Sequence, residues 1–185
     1  MKSLRWILPS LALAALLVSG CILISAQIFA HFSLANPIVL DSNLNPLHRE
    51  PVDLHTISDY EKNKDKLKGL SDLAVVGRFT NQAGPAGAVE LWISPDFSSN
   101  LGSVAAVQSG ATKLWGPGSI GAAVTSRTIG WNESSKLFNP AGKKILIDEA
   151  LGDGQFVVYA IVTGPGPNTI RVDNGEIILV IDAGK

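Results

Sequence analysis

Residues 73–94 read LAVVGRFTNQAGPAGAVELWIS. Leu73, Val75 and Phe79 alternate with Ala74, Arg78 and Thr80; beyond the turn formers between Gly84 and Gly87, Val89, Leu91 and Ile93 alternate with Glu90, Trp92 and Ser94. Side chains two apart on a strand share a face, so each run presents one apolar face and one polar face. The pair reads as an antiparallel hairpin with one buried face.

The pattern continues downstream. Further strands are expected at 103–108, 111–115, 122–131, 144–150, 155–163, 169–173 and 176–182, divided by clusters of Ser, Gly, Asn and Pro. The last two flank Asn174-Gly175, a strong signal for a type I′ turn. Gly116-Pro117-Gly118 and Gly164-Pro165-Gly166-Pro167 are similar turn formers, both expected at loop ends. One helical turn is expected at 133–138, opened by Asn132 and closed by Asn139-Pro140. The expected inward set is Val75, Phe79, Val89, Leu91, Ile93, Val104, Val107, Ile129, Ile145, Ile147, Val158, Val162, Ile178 and Val180. Eight or nine short strands with glycine-rich turns predict an all-β chain, an antiparallel β-sandwich of jelly-roll or immunoglobulin-like type.

Upstream, Ser58 and Glu61 have capping-box spacing, Asp59 and Glu61 fall in a first turn, and Lys66 and Lys68 precede Gly69, which predicts a helix over 58–68. It opens a single domain at 57–185. Residues 31–56, with Pro37, Pro46 and Pro51, read as an extended linker. Within it, Ile38-Val39-Leu40 could form a short strand, in the chain itself or completing a neighbour's sheet.

Residues 1–30 decide placement. Lys2 and Arg5 precede an uncharged run from Trp6 to Ala30, the layout of an export signal or membrane anchor in helical form. Val18-Ser19-Gly20-Cys21 resembles a bacterial lipobox, which implies lipid attachment at Cys21 and a membrane partner. Two other outcomes stay open: an uncleaved anchoring helix, since about 20 apolar residues span a bilayer, and cleavage near Ser33-Leu34-Ala35. All three put the domain in the cell envelope or beyond, outside the cytoplasm.

The 185 residues carry a net charge of −1. That lacks the basic footprint that a phosphate backbone demands, so nucleic acid is not an expected partner. Cys21 is the single cysteine, which excludes disulfide frameworks and cysteine-based zinc sites.

Residues with catalytic chemistry are sparse. His31, His48 and His55 all precede the main run of strands, so a Ser-His-acid arrangement lacks its base there. Asp148 and Glu149 are adjacent, and on a strand they would face opposite sides. His48, Glu50, Asp53 and His55 lie close in sequence but in a proline-broken stretch, which reads as solvated side chains instead of a metal site. No catalytic residue, metal site or enzymatic activity is expected. Trp92 falls on the outer face of its strand, where it either stacks on a sugar or partner or is covered by the 58–68 helix. Residues 170–174 are similar to the closing strand of carbohydrate-binding jelly rolls. Asp96, Asp153 and Asp173 could supply oxygens to calcium, though without EF-hand spacing. Trp92, Asp153 and Asp173 are thus the candidate ligand residues, with no cofactor beyond calcium. The expectation is a non-enzymatic, envelope-anchored β-sandwich of structural or adhesive role, with a protein or polysaccharide partner. The alternatives are a carbohydrate- or calcium-binding module and a filament subunit assembled by strand complementation.

Overall fold

The structure, a computed structural model, describes residues 26–34 and 36–184. Cys21 and the apolar run up to Ser25 lie outside them.

Two antiparallel sheets share one core. In the first, β1 (Ala26–Ser33) and β2 (Ile38–Asp41) lie along one side of β9 (Thr169–Ala183), whose other side pairs with β4 (Leu67–Ala83) and then β7 (Thr125–Ile129). The second runs β3 (Leu47–Asp53), β8 (Gln155–Thr163), β5 (Gly87–Ser94), β6 (Thr112–Ile120). Helices fill the crossings: α1 (Ser58–Asn63), α2 (Val104–Gly110), α3 (Trp131–Ser134) and α4 (Pro140–Leu151).

Between the sheets, Leu73, Val75 and Phe79 of β4 meet Val89, Leu91 and Ile93 of β5 and Val158 and Val162 of β8, all at most 5% exposed. Burying each such side chain is worth about 1.5–3 kcal/mol, so this cluster is the main favourable term. The alternation in residues 73–94 therefore identifies the buried faces. It does not make a hairpin, however: β4 and β5 stand in different sheets. Two strands facing one core from opposite sheets carry the same period as two neighbours in one sheet. Gly84, at φ +93°, turns the chain across; a Cβ there would stand 1.9 Å from the Pro167 carbonyl oxygen.

Two expected strands are helices. Asn139 accepts from the Ala141 and Gly142 amides (2.9 and 3.4 Å) and Pro140 takes the first turn, so this pair opens α4 instead of closing the turn before it. Gly142, Leu146 and Ala150 then recur every four residues against β6 and the core, while Ile145 and Ile147 are only half-buried. Ser103 caps α2 in the same way, its Oγ accepting from the Ala106 amide at 3.1 Å. Val104 and Val107 consequently pack on the outer side of the second sheet.

Asn174-Gly175 forms no hairpin turn. Val76 pairs with Glu176 and Arg78 with Asp173, so Gly77 alone faces Asn174 and Gly175, and Asn174 at φ 50° bulges a continuous β9. The bulge resets the phase. Ile177, Leu179 and Ile181 point inward, fully buried, in place of the expected Ile178 and Val180.

The expected linker is structured. Ala26–Ala30, the expected end of the apolar segment, belong to β1, and residues 31–56 hold the rest of β1, β2, β3 and a 3-10 turn at Leu54–Thr56. Ile28, Ala30 and Leu34 are buried and alternate with exposed Gln27, Phe29 and His31, which is strand periodicity. The 58–68 helix is shorter than expected: α1 ends at Asn63, a 3-10 turn spans Lys64–Lys66, and Leu67 starts β4. No capping box forms. Ile57 occupies the N-cap, and Glu61 bonds His55 and Lys64 instead. Gly116-Pro117-Gly118 lies inside β6, while Gly164 to Pro167 are a loop end as expected. The short helix expected at 133–138 appears as α3 followed by a 3-10 turn at Ser135–Leu137.

Candidate functional site

The three candidate ligand residues in the described region stand apart. Trp92 is on the outer face of the second sheet, as its phase requires. Val107, Tyr159 and Ile161 pack beside it, and the cover comes from α2 and its preceding loop, not from the 58–68 segment. Its indole N–H donates to Glu90 Oε2 at 3.2 Å, and Lys113 Nζ sits 5.4 Å from the ring centroid while bonding Glu90 Oε1 at 2.7 Å. The ring is half-buried and its polar edge is paired.

Asp173 belongs to the first sheet, where Arg171 Nε (2.8 Å) and Nη2 (2.7 Å) hold its carboxylate and lower its pKa. Asp153 lies in the turn between α4 and β8, its Oδ1 accepting the Gln155 amide at 3.0 Å. Asp96 accepts from the Ser98 hydroxyl and amide, which depress its pKa. Asp96 and Asp153 each serve their own turn and Asp173 its strand neighbour Arg171, and among the described residues no group of three His, Cys, Asp or Glu is placed to hold a metal ion.

The His48, Glu50, Asp53, His55 stretch also divides. His48 Nε2 meets Glu50 Oε2 at 3.0 Å on β3, while His55 turns away to Glu61. A cleft of about 190 Å³ beside them is lined by Phe32, Glu50, Pro51, Val52, Asp53 and Thr56, and is smaller than an ordinary ligand pocket. Ile38–Asp41 pairs with β9 of its own chain, so its backbone on that side is already used.

What the local sequence does not single out is the contrast between the two ends of the molecule. At one end Ala26 and Leu67 both pair with Ala183, and the Gly184 amide donates to the Lys66 carbonyl at 3.0 Å. Charge gathers there, on Asp59, Glu61, Lys62, Lys64, Asp65, Lys66 and Lys68. At the other end, where Asp41 and Ala83 both pair with Thr169, four loops converge: 42–46, 84–86, 121–124 and 164–168. The Ser42 amide donates to the Asn168 carbonyl and the Asn168 amide to Ser42 Oγ, both at 3.0 Å. The Ala123 amide reaches the Gly84 carbonyl at 3.0 Å, and Asn81 Nδ2 bonds the Pro85 and Gly121 carbonyls at 2.7 and 2.9 Å. None of these loops contains a charged residue, and Leu44 and Val124 stand out of them, 87% and 83% exposed.

No family model and no curated protein matches the chain. Among solved structures it is similar to a chain of Desmodium yellow mottle tymovirus, at 14% identity and a TM-score of 0.27 over 87% of this chain and 84% of that one. It is also similar to a chain of tobacco necrosis virus, at 14% identity and a TM-score of 0.22 over 85% and 98%. Likenesses this slight carry neither a fold nor a function.

Proposed function

We propose that this chain is a jelly-roll β-sandwich of structural or adhesive role, held at the cell envelope by its N-terminal apolar run. The strand order supports jelly-roll over immunoglobulin-like. If β1 and β2 count as one interrupted strand, eight strands alternate between the sheets, save for β5 and β6, which are neighbours.

The observation that carries the role is the polarity of the molecule. The chain enters β1 at Ala26 directly from the apolar run, at the charged end, so an anchor in that run holds that end at the membrane. The four uncharged loops then face outward, with Leu44 and Val124 at their tips. Exposed apolar side chains on an uncharged rim suit contact with another macromolecule. The half-buried, paired state of Trp92 favours this reading over sugar stacking.

The test uses cells producing the full chain. It should fractionate with envelope membranes and be shaved by protease added outside intact cells. Leu44→Asp with Val124→Asp should leave that placement unchanged while reducing attachment or cell-to-cell clumping severalfold. Recovery of the wild-type chain in the cytosol would sink the reading.

A further inference from the structure

The side chain of His55 lies between two groups that can only accept. Its Nδ1 is 2.5 Å from Glu61 Oε2, on α1, and its Nε2 is 2.7 Å from the carbonyl oxygen of Asp153, in the turn before β8. A neutral imidazole has one N–H and one lone pair, so it satisfies one of these contacts and turns its lone pair on the oxygen of the other. Both bonds form together only on the imidazolium. We propose that His55 is a proton-operated latch, tying the 54–66 segment to the α4–β8 turn when doubly protonated and releasing it when the ring loses a proton.

The surroundings fit a latch. Beneath His55, the Tyr60 ring packs edge-on at 5.6 Å between centroids, and its hydroxyl donates to the Ala150 carbonyl at 3.0 Å. Gly154, at φ +72°, passes so close that a Cβ would come within 2.7 Å of the Tyr60 oxygen, and the Leu54 amide donates to the Gly154 carbonyl at 2.9 Å. Leu54 and Tyr60 are at most 1% exposed. The latch thus closes the segment over buried side chains, at the end where the chain enters β1, against which α1 packs.

The facing charges favour the protonated ring. On its own segment Asp53 accepts from the His55 amide at 3.0 Å. From α1 comes Glu61 and, from the 3-10 turn after it, Lys64, whose Nζ bonds Glu61 Oε1 at 2.7 Å. The α4–β8 turn brings Asp153, and α4 brings Glu149, whose own pKa burial and then Asp153 raise. The hydrogen bond to Glu61, then that to the Asp153 carbonyl, raises the His55 pKa above its usual value. A raised folded pKa makes the contribution complete below the unfolded histidine value of about 6.5 and lost as pH climbs through the folded one.

The experiment is nitrogen NMR on the full chain labelled with ¹⁵N-histidine, with His55→Gln identifying the His55 signals. At a pH of about 6.5, both ring nitrogens of His55 should carry protons. Glu61→Gln should lower the midpoint. In wild type, the Leu54 and Ile57 amides, corrected for intrinsic rates, should exchange severalfold faster above the midpoint than below it, and His55→Gln should abolish that pH step. A single-tautomer ring at about pH 6.5, a midpoint unmoved by Glu61→Gln, or exchange without a step in wild type would each overturn the latch.

Discussion

Asn36 and Asn174 grip each other through a reciprocal pair of hydrogen bonds. Asn36 Nδ2 donates to Asn174 Oδ1 at 3.0 Å, and the Asn174 amide donates to Asn36 Oδ1 at 3.1 Å. The pair aligns the interruption between β1 and β2 with the bulge in β9, and the Leu34 amide completes the junction on the Gly175 carbonyl at 2.8 Å. Asn174→Val should cost about 2 kcal/mol, because a β-branched residue in the left-handed region is strained and Asn36 Nδ2 loses its acceptor. Asn174→Gly keeps the backbone and loses only the side-chain bond, so about 1 kcal/mol is expected. Urea unfolding of both variants checks the order.

Ser134 finishes an edge that β7 leaves bare. β7 ends opposite Gly77, and beyond it the Val75 amide donates to Ser134 Oγ at 2.6 Å, while the buried Trp115 indole N–H reaches the same hydroxyl at 3.0 Å and the Ser134 carbonyl at 3.1 Å. Ser134→Ala leaves a buried amide without a partner, at a cost of about 1–3 kcal/mol. Ser134→Thr should recover part of it. Denaturant midpoints, with tryptophan fluorescence as the signal, measure both.

Helix α4 lies so close to β6 that a Cβ on Gly142 would stand 2.2 Å from the Lys113 carbonyl oxygen and 2.6 Å from the Leu114 Cα. Backbone cannot yield as a side-chain tip does. Gly142→Ala should therefore destabilise by about 1–3 kcal/mol even though alanine is the better helix former. A melting temperature at or above wild type would disprove the close approach.

Acid should loosen the uncharged loops first at Asp41. Its carboxylate accepts from the Thr169 hydroxyl at 2.8 Å and from the Asn43 and Leu44 amides at 2.9 and 3.0 Å, and these bonds, Thr169 foremost, set its pKa below the usual aspartate value. A depressed folded pKa means the contribution is whole above the unfolded value of about 3.9 and disappears as pH falls through the folded one. Exchange protection of the Asn43 and Leu44 amides should drop across that acid window in wild type. Asp41→Asn should remove the dependence.

Mass spectrometry of the mature N-terminus resolves the three placements left open for the first thirty residues. A fragment starting at a lipid-modified Cys21 is the expected product. An intact Met1 in the membrane fraction would make the run an uncleaved helix, and a start after Ala35 would free the chain while cutting β1, with buried Ile28, Ala30 and Leu34, out of the first sheet.

Much of the fold was legible, because burial on one face of a strand imposes period two whatever the partner. Residues 155–163 are instead a continuous apolar run, buried on both faces, and form β8 with the expected bounds. The failures share a cause. Asn139-Pro140 can close one helix or open the next, and Lys144 to Ala150 read as strand until Leu114 and Lys113 come close enough to favour Gly142 on a helix. Asn174-Gly175 supplies left-handed backbone that a hairpin or a bulge can use; the long pairing of β4 with β9 selects the bulge. As for chemistry, His55 and Glu61 lie six residues apart, a spacing without meaning until the 3-10 turn and α1 fold one over the other, and Asp153 arrives from 98 residues away.

By itself, then, the sequence determined that this is an antiparallel β protein without disulfides, and which residues of β4, β5 and β8 would face the shared core, since those depend on local alternation and composition. Only the tertiary structure decided which strands share a sheet, that α2 and not the 58–68 segment covers Trp92, that uncharged loops gather at one end, and that His55 is caught between two acceptors. Those outcomes rest on contacts between residues distant in the chain, whose energies no local pattern carries.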